Sequence, residues 1–519
     1  MKQPQKSVRK IADKEGSAKQ FSGLNQKLSY LLGENVAWMK EAFGASTDFI
    51  VREFKIGETN AALCFFDGLT DKRLLDEDVL KPLQNFAGDY TADIAAHLLA
   101  VGEVSESSYL NEAAKGVLDG DAVLFIDKAD NLFVIGAKGF DVRAVGQATN
   151  EASLRGAQEA FTENLMTNAS MLRRRLRTDK LKIEFRTLGA MTKTKVAVAY
   201  LDGVVNAEIV AEIQRRLDGI KEVDSILDGG CLEQYIEDNT YSLFPQMQYT
   251  QKPDRVTANL LEGRVALIVD GCPDVLLAPV VLVQFFQSPE DYYNRTWAGS
   301  FARWVRYIGL MIAVVFPALY IAVTSYHQEM LTTAMAISIA AAREGKPFPA
   351  FLEALIMELM LELLREASIR LPNSISNTLG IVGALVIGQA AVEAQLIAPQ
   401  VVIAVAITAI GTFTLPSFEI SYPIRLVRFP LMILAAVAGL YGVVIGILLL
   451  LIHLVDLRSI GQPYLAPLAP FDFYRLKDVL IRAPRWQMMT TPQFVRASEN
   501  PPRGFWRRNF LHIGRKDDE

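Results

Sequence analysis

Six ionisable residues interrupt one apolar stretch of this chain. Glu353, Glu358, Glu362, Arg365, Glu366 and Arg370 stand between Phe351 and Leu371, separated mainly by Leu, Ile, Met and Ala. On a helix, Glu358, Glu362, Arg365 and Glu366 fall on one face about 100° wide, opposite an apolar face. Glu358 and Glu362 are four apart, as are Glu362 and Glu366, and like charges at that spacing repel. In lipid, such a face needs cationic partners or a water-filled path for cations. It equally suits an amphipathic helix at the bilayer surface, with its glutamates in water. Gln389 and Glu393, also four apart, extend the candidate ion path. Thr408, Gly411 and Thr412 add small residues to the run Val401–Phe413. A helix of that kind can shape a gated constriction, although close helix packing is the simpler use of small residues.

Nothing else in the chain has the spacing of a catalytic or metal centre. Phosphate-loop, GxSxG, HExxH and GxGxxG patterns are absent, so neither an enzyme nor a cofactor is expected. Histidines occur only at positions 97, 327, 453 and 512. His327 and His453 each stand at the end of an apolar run, where an interfacial position explains them. Cys64, Cys231 and Cys272 lack CxxC or Cys/His ligand spacing and read as buried, reduced thiols in a cytosolic setting. A net charge of −5 argues against a dedicated nucleic-acid binder.

The elements that must position these residues follow from how hydrophobicity is distributed. In 519 residues, 51% are apolar and 21% charged, and mean hydropathy is +0.20. That length predicts two or three domains. Charge is concentrated before Arg306 and hydrophobicity after it. Tyr307–Tyr326, Ala394–Phe418 and Phe429–Ile452 are charge-free, as is the shorter Thr378–Val392. Twenty helical residues span about 30 Å, the thickness of bilayer hydrocarbon. Pro399 predicts a tight hairpin joining two spans. Met330–Ala342 is too short to cross, although six spans would require it to contribute, and the glutamate segment could cross, re-enter or lie on the surface. Arg303 and Arg306 precede the first run, and Arg458, Arg475, Arg482 and Arg485 follow the last. Both ends therefore read as cytoplasmic, which requires an even number of spans within a range of four to six. Arg425 and Arg428 fit four spans poorly, because they would then face outward.

Before the membrane region, the pattern predicts an α/β or α+β architecture. Ala61-Ala-Leu-Cys-Phe-Phe-Asp-Gly68 is matched by Val196-Ala-Val-Ala-Tyr-Leu-Asp-Gly203, and a helical stretch follows each. Further on, Gly120-Asp-Ala-Val-Leu-Phe-Ile-Asp127 is matched by Gly263-Arg-Val-Ala-Leu-Ile-Val-Asp270. Each of these leads into another apolar run. The repeat predicts two related subdomains. The expected boundaries are a flexible tail over 1–43, subdomains over 44–150 and 178–298, and a helical linker over 151–177. An all-α membrane domain over 299–456 and a cytoplasmic tail over 457–519 complete the chain. The linker ends in Arg173-Arg174-Arg175-Leu-Arg177, which reads as a solvated helix end or as a contact for anionic lipid or an acidic neighbour.

Longer motifs resemble the A subunits of spore germinant receptors, the GerA family. They include Phe161-Thr-Glu-Asn164, Leu260-Leu-Glu-Gly-Arg-Val-Ala266 and Phe285-Phe-Gln-Ser-Pro-Glu-Asp-Tyr-Tyr293. In the membrane half, Glu362-Leu-Leu-Arg-Glu-Ala-Ser-Ile-Arg-Leu-Pro372, Gly383-Ala-Leu-Val-Ile-Gly-Gln-Ala-Ala391 and Pro463-Tyr-Leu-Ala-Pro467 carry the likeness. Two departures are Arg155-Gly-Ala-Gln-Glu159, where the family commonly has Arg-Gly-Pro-Arg-Glu, and Cys272, where it has Thr or Ser. The paralogous stage V sporulation protein AF is the nearest rival. The resemblance implies a polytopic subunit in the inner membrane of the endospore, with its N-terminal region cytosolic. It implies a transporter-like, nutrient-binding B subunit and a lipoprotein C subunit as partners, besides membrane lipid. It also implies homo-oligomerisation into a ligand-gated cation channel; a non-conducting signalling or scaffold subunit is the alternative.

Overall fold

The computed structural model describes residues 26–44, 46–86, 99, 101–139, 151, 156–371, 386, 388–472 and 478–482. Of the expected flexible tail over 1–43, residues 1–25 lie outside the described residues, as do Gly380, Gly383 and most of the Thr378–Val392 run, whereas Leu32–Phe43 is a helix that buries Met39 and Phe43 against the first sheet.

Strands β1 (Phe49–Ile56), β2 (Thr59–Phe66), β3 (Val104–Ser107), β4 (Ala122–Ile126) and β5 (Leu132–Ile135) form a sheet ordered β1-β2-β4-β5-β3. A second sheet comprises β6 (Leu181–Leu188), β7 (Thr194–Leu201), β8 (Gln248–Thr250), β9 (Val265–Val269) and β10 (Val275–Ala278), ordered β6-β7-β9-β10-β8. The two orders are the same, and the matched sequences occupy β2 with β7 and β4 with β9. Every pairing is antiparallel, so of the two architectures left open the sheets are α+β. Helices cover both faces, which is why β4 and β9 are apolar at every position rather than alternating. In the first sheet, Cys64, Phe66, Val123 and Phe125 pack on helices α1 (Leu32–Phe43) and α2 (Leu110–Asp119). Leu63, Leu124 and Ile126 pack on the helical residues 72–84. In the second, α3 (Leu165–Arg175) and α6 (Pro253–Leu261) take one face, and α4 (Ala207–Gly219) and α5 (Gly229–Ile236) the other. Cys64 is buried, and desolvation pushes its thiol up to about 12, so it is inert. Cys231 and Cys272 are only half-buried, contrary to the expectation for all three.

The expected linker helix is shorter than 151–177. It starts at Leu165, where the Asn164 side chain accepts the N–H groups of Met166 and Thr167. Its arginines touch protein. Arg173 is buried and pairs bidentately with Asp48 of the first subdomain at 2.7 and 2.8 Å, above the Phe66 ring. Arg175 donates to Glu159 and Arg177 to Asp119. That cluster joins the two subdomains.

The apolar half contains α7 (Thr296–Ser325), α8 (Thr333–Arg343), α9 (Ala350–Arg370), α10 (Pro399–Phe413) and α11 (Phe418–Asp456). Among the described residues, α7 and α11 are long and apolar enough to cross a membrane. A turn at residues 394–398, with Gln395 at a φ of 55°, leads into Pro399 at the start of α10, as the sequence predicts. α11 is a hairpin rather than a rod. Gly439, at φ 59° and ψ −138°, breaks it into two arms. A Cβ on Gly446 would clash with the Leu431 side chain, fifteen residues back, a separation of about 22 Å in a straight helix. Both ends of the hairpin reach the second subdomain. The Tyr249 N–H donates to Glu419 at 2.8 Å, and Ser242 Oγ lies 3.0 Å from His453 Nε2. The turn at Gly439 meets Tyr326 and His327, just past the far end of α7.

The described residues after 456, 457–472 and 478–482, pack against the rest of the chain. Ser459 Oγ accepts the Val280 N–H at 2.9 Å and donates to the Gln246 carbonyl at 2.5 Å. Asp478 pairs with Arg303 at 2.9 Å.

Candidate functional site

Arg428 is the centre of the bundle, and a proline explains its position. Pro317 lies inside α7 and has no N–H, so the Ala313 carbonyl four residues earlier loses its helical partner. Arg428 Nε donates to that carbonyl at 3.0 Å. Its Nη2 donates to Thr412 Oγ1 at 3.0 Å, and its Nη1 to Glu358. One guanidinium therefore ties together α7, α9, α10 and the first arm of α11, and it is buried. In hydrocarbon such a charge persists only when paired and hydrogen-bonded.

The other predicted site residues divide into two groups. Glu358 is buried beside Arg428, and its Oε1 has no partner among the described residues. Glu362 pairs with Arg425, one turn before Arg428. The Arg365 guanidinium lies 5.0 Å from the Phe413 ring centroid, a cation–π contact. Thr408 is buried and spends its hydroxyl on the Ala404 carbonyl at 2.8 Å, and Thr412 donates to Thr408. The second group faces outward. Glu366 pairs with Arg370 at 2.7 Å, and Gln389 donates to Glu393 at 2.8 Å, all four exposed. Glu362 belongs partly to this group, since its side chain is 40% exposed. The candidates thus form no single cluster. Glu358, Thr408 and Thr412 are packing and pairing residues, while Glu362, Glu366, Gln389 and Glu393 remain accessible on the bundle's outside.

Sequence reasoning missed the partners. Arg425 and Arg428 read only as cations that fit four spans poorly, yet they lie within α11 with their side chains buried. Their available signal is two arginines three apart beside a charge-free run, matching two glutamates four apart elsewhere. Glu353 was also missed as a site. Fully buried, it accepts the Ala398 N–H at 2.8 Å, placing a carboxylate at the N-terminus of α10, where free N–H groups and the helix dipole favour it.

At the base of the bundle, Glu419 accepts the free N–H of edge strand β8, and Tyr249 Oη donates to Glu233 at 2.6 Å. Burial raises the Glu233 carboxyl above its ordinary value. Burial and the neighbouring Glu233 push Glu237 up to about 7.

A duplicated α+β region is thus joined to an apolar helical bundle with internally paired charges, two of whose described helices are long and apolar enough to cross a membrane. The model of the Bacillus/Clostridium GerA spore germination protein family matches residues 37–494, and the chain belongs to that family. It is 41% identical over 484 residues to spore germination protein KA of Bacillus subtilis (strain 168), covering 92% of this chain and 89% of that protein. It is 37% identical over 483 residues to spore germination protein GerLA of Bacillus cereus, covering 91% and 98%. Among solved structures, it is similar to the N-terminal domain of the A subunit of the Bacillus megaterium spore germinant receptor GerK3. That likeness has 34% identity and a TM-score of 0.40, and covers 50% of this chain and 99% of that one.

Proposed function

We propose that this chain is the A-type subunit of a nutrient germinant receptor in the inner membrane of the endospore. It works with a transporter-like B subunit and a lipoprotein C subunit, and it self-associates around a cation path. The observation that carries the reading is Glu362. It stands on the outer side of the apolar bundle, pairs with one arginine and still keeps 40% of its side chain open. A carboxylate left partly open at membrane depth needs water or a second protomer beside it. Glu366, Gln389 and Glu393 are exposed in the same half. Glu362→Gln should slow or alter monovalent cation release from spores without lowering the protein level. Wild-type release from that variant would remove Glu362 from the path.

The membrane arrangement we favour has six crossings with both ends cytosolic. α7 leads out and α9 returns, and hydropathy alone assigns the charge-free run Thr378–Val392 as the next outward crossing. α10 returns, and the two arms of α11 supply the last pair. α8 lies on the far side. The count reaches six through the α11 hairpin and the crossing of α9, without the Met330–Ala342 segment. Cysteines introduced at Glu344 and Arg458 should label from opposite sides of intact membranes; labelling from one side would reject this arrangement.

One observation favours the non-conducting alternative: Glu358 and Glu362 both have arginine partners within their own protomer. Current recorded from the reconstituted A subunit, alone and with its partners, separates the two readings.

A further inference from the structure

Between α5 and β8 the second subdomain carries a loop, Asn239-Thr-Tyr-Ser-Leu-Phe244, with no charged residue. We infer that the tip of this loop, Tyr241 and Leu243, inserts into the lipid headgroup–acyl boundary of the membrane that holds the helical bundle.

The loop is held rigidly. Buried Gln246 accepts the N–H groups of Asp238 and Asn239 at 2.9 and 3.0 Å and donates to the Asn239 carbonyl at 2.6 Å. Asn239 Oδ1 accepts the Tyr241 N–H, which tightens the turn. The loop's level is also set. Ser242 bonds His453 in the last turn of α11, and the Phe244 ring packs into the same apolar cluster as the bundle, 6.1 Å from the His453 ring. The tip therefore sits beside the end of a membrane helix whose outer residues Leu449, Ile452 and Val455 are exposed.

In this position Tyr241 is 98% exposed and Leu243 52%. A rigid loop with an outward Tyr and Leu at the end of an apolar helix matches the aromatic belt of membrane proteins, where amphipathic rings sit at headgroup level. Trp297 at the start of α7, and Phe418 and Tyr422 at the start of α11, are likewise exposed at the cytosolic ends of their helices. Of the two acidic residues before the loop, Asp238 is paired with Arg216 at 2.5 Å, and Glu237 lies against Thr240 with its carboxyl raised by burial. Insertion is therefore driven by apolar and aromatic burial and does not require anionic lipid.

The inference rests on the membrane placement proposed above, so the test separates the two. The full chain, with its three native cysteines replaced, is reconstituted into phosphatidylcholine nanodiscs. Spin labels are placed singly at Tyr241, Leu243, Ile452 and Glu58, the last in the β1–β2 turn of the first subdomain. Collision with apolar oxygen and with a water-soluble nickel complex then reports depth. Labels at 241 and 243 should favour oxygen and be shielded from nickel, at a shallower depth than 452, while 58 stays aqueous. Adding phosphatidylglycerol should leave those depths unchanged. Nickel access at 241 and 243 equal to that at 58, with 452 still lipid-buried, overturns the anchor and leaves the membrane placement standing. An aqueous label at 452 overturns the placement itself. Protection of 241 and 243 from both reagents would mean a protein contact there and would also overturn the anchor.

Discussion

Arg428 donates to the Ala313 carbonyl at 3.0 Å, and that carbonyl is open because Pro317 stands four residues further along α7. A helix defect and a buried cation thus satisfy one another, and Glu358 neutralises the pair.

Removing Arg428 alone leaves a buried carboxylate uncompensated. Arg428→Met should destabilise the chain by about 3–5 kcal/mol. Adding Glu358→Met should recover most of that loss, because an apolar pair needs no counter-ion. Thermal unfolding in detergent, followed by fluorescence size-exclusion, checks both variants. A double variant no better than the single would contradict the pairing.

The Arg173–Asp48 pair links the subdomains through a fully desolvated, bidentate contact. Arg173→Ala should cost about 3–5 kcal/mol. Arg173→Lys should also lose stability, since a lysine cannot reproduce the fork. The melting temperature of the full chain reads both, and a lysine variant equal to wild type would show that the fork is dispensable.

Gly439 occupies backbone angles that L side chains avoid, and an added Cβ would lie 2.8 Å from the His327 ring. Gly439→Ala should cost roughly 1–3 kcal/mol. Gly442→Ala should be worse, because its Cβ meets the Leu434 carbonyl, which is backbone and cannot swing away. Yield of folded protein from membranes ranks the two; the opposite order would argue against the hairpin packing described here.

Glu237 gives a pH dependence with a defined sign. Its carboxyl lies at about 7 in the folded chain, against an ordinary 4.5. Between those values the folded state keeps a proton that the unfolded state has lost, so stability falls as pH rises through this window. Glu237→Gln should flatten part of that slope, and the raised Glu233 should account for part of the rest. Melting temperatures measured from pH 4.5 to 8 test this, and parallel slopes for variant and wild type would reject it.

The α+β region was legible in the sequence because its signals are local. A buried strand closed by Asp-Gly reads the same at Ala61 and at Val196, and two copies imply two sheets. The Asn164 cap of α3 is also local, although the expected linker overlooked it. Charge-free runs likewise marked the apolar helices, since length and hydropathy suffice for that.

What the sequence by itself determined, then, is the duplication, the apolar half and the glutamate-bearing face. Tertiary structure alone decided what those glutamates do. Glu362 meets Arg425 across 63 residues and Glu358 meets Arg428 across 70. Pairing at such separations leaves no periodic trace in the chain. Without their counter-ions, two arginines before an apolar run look like cations at a membrane face, and one glycine inside that run does not reveal a reversal. Burial of a charge in an apolar medium is tolerated only by a specific partner, and which partner arrives depends on how the helices pack.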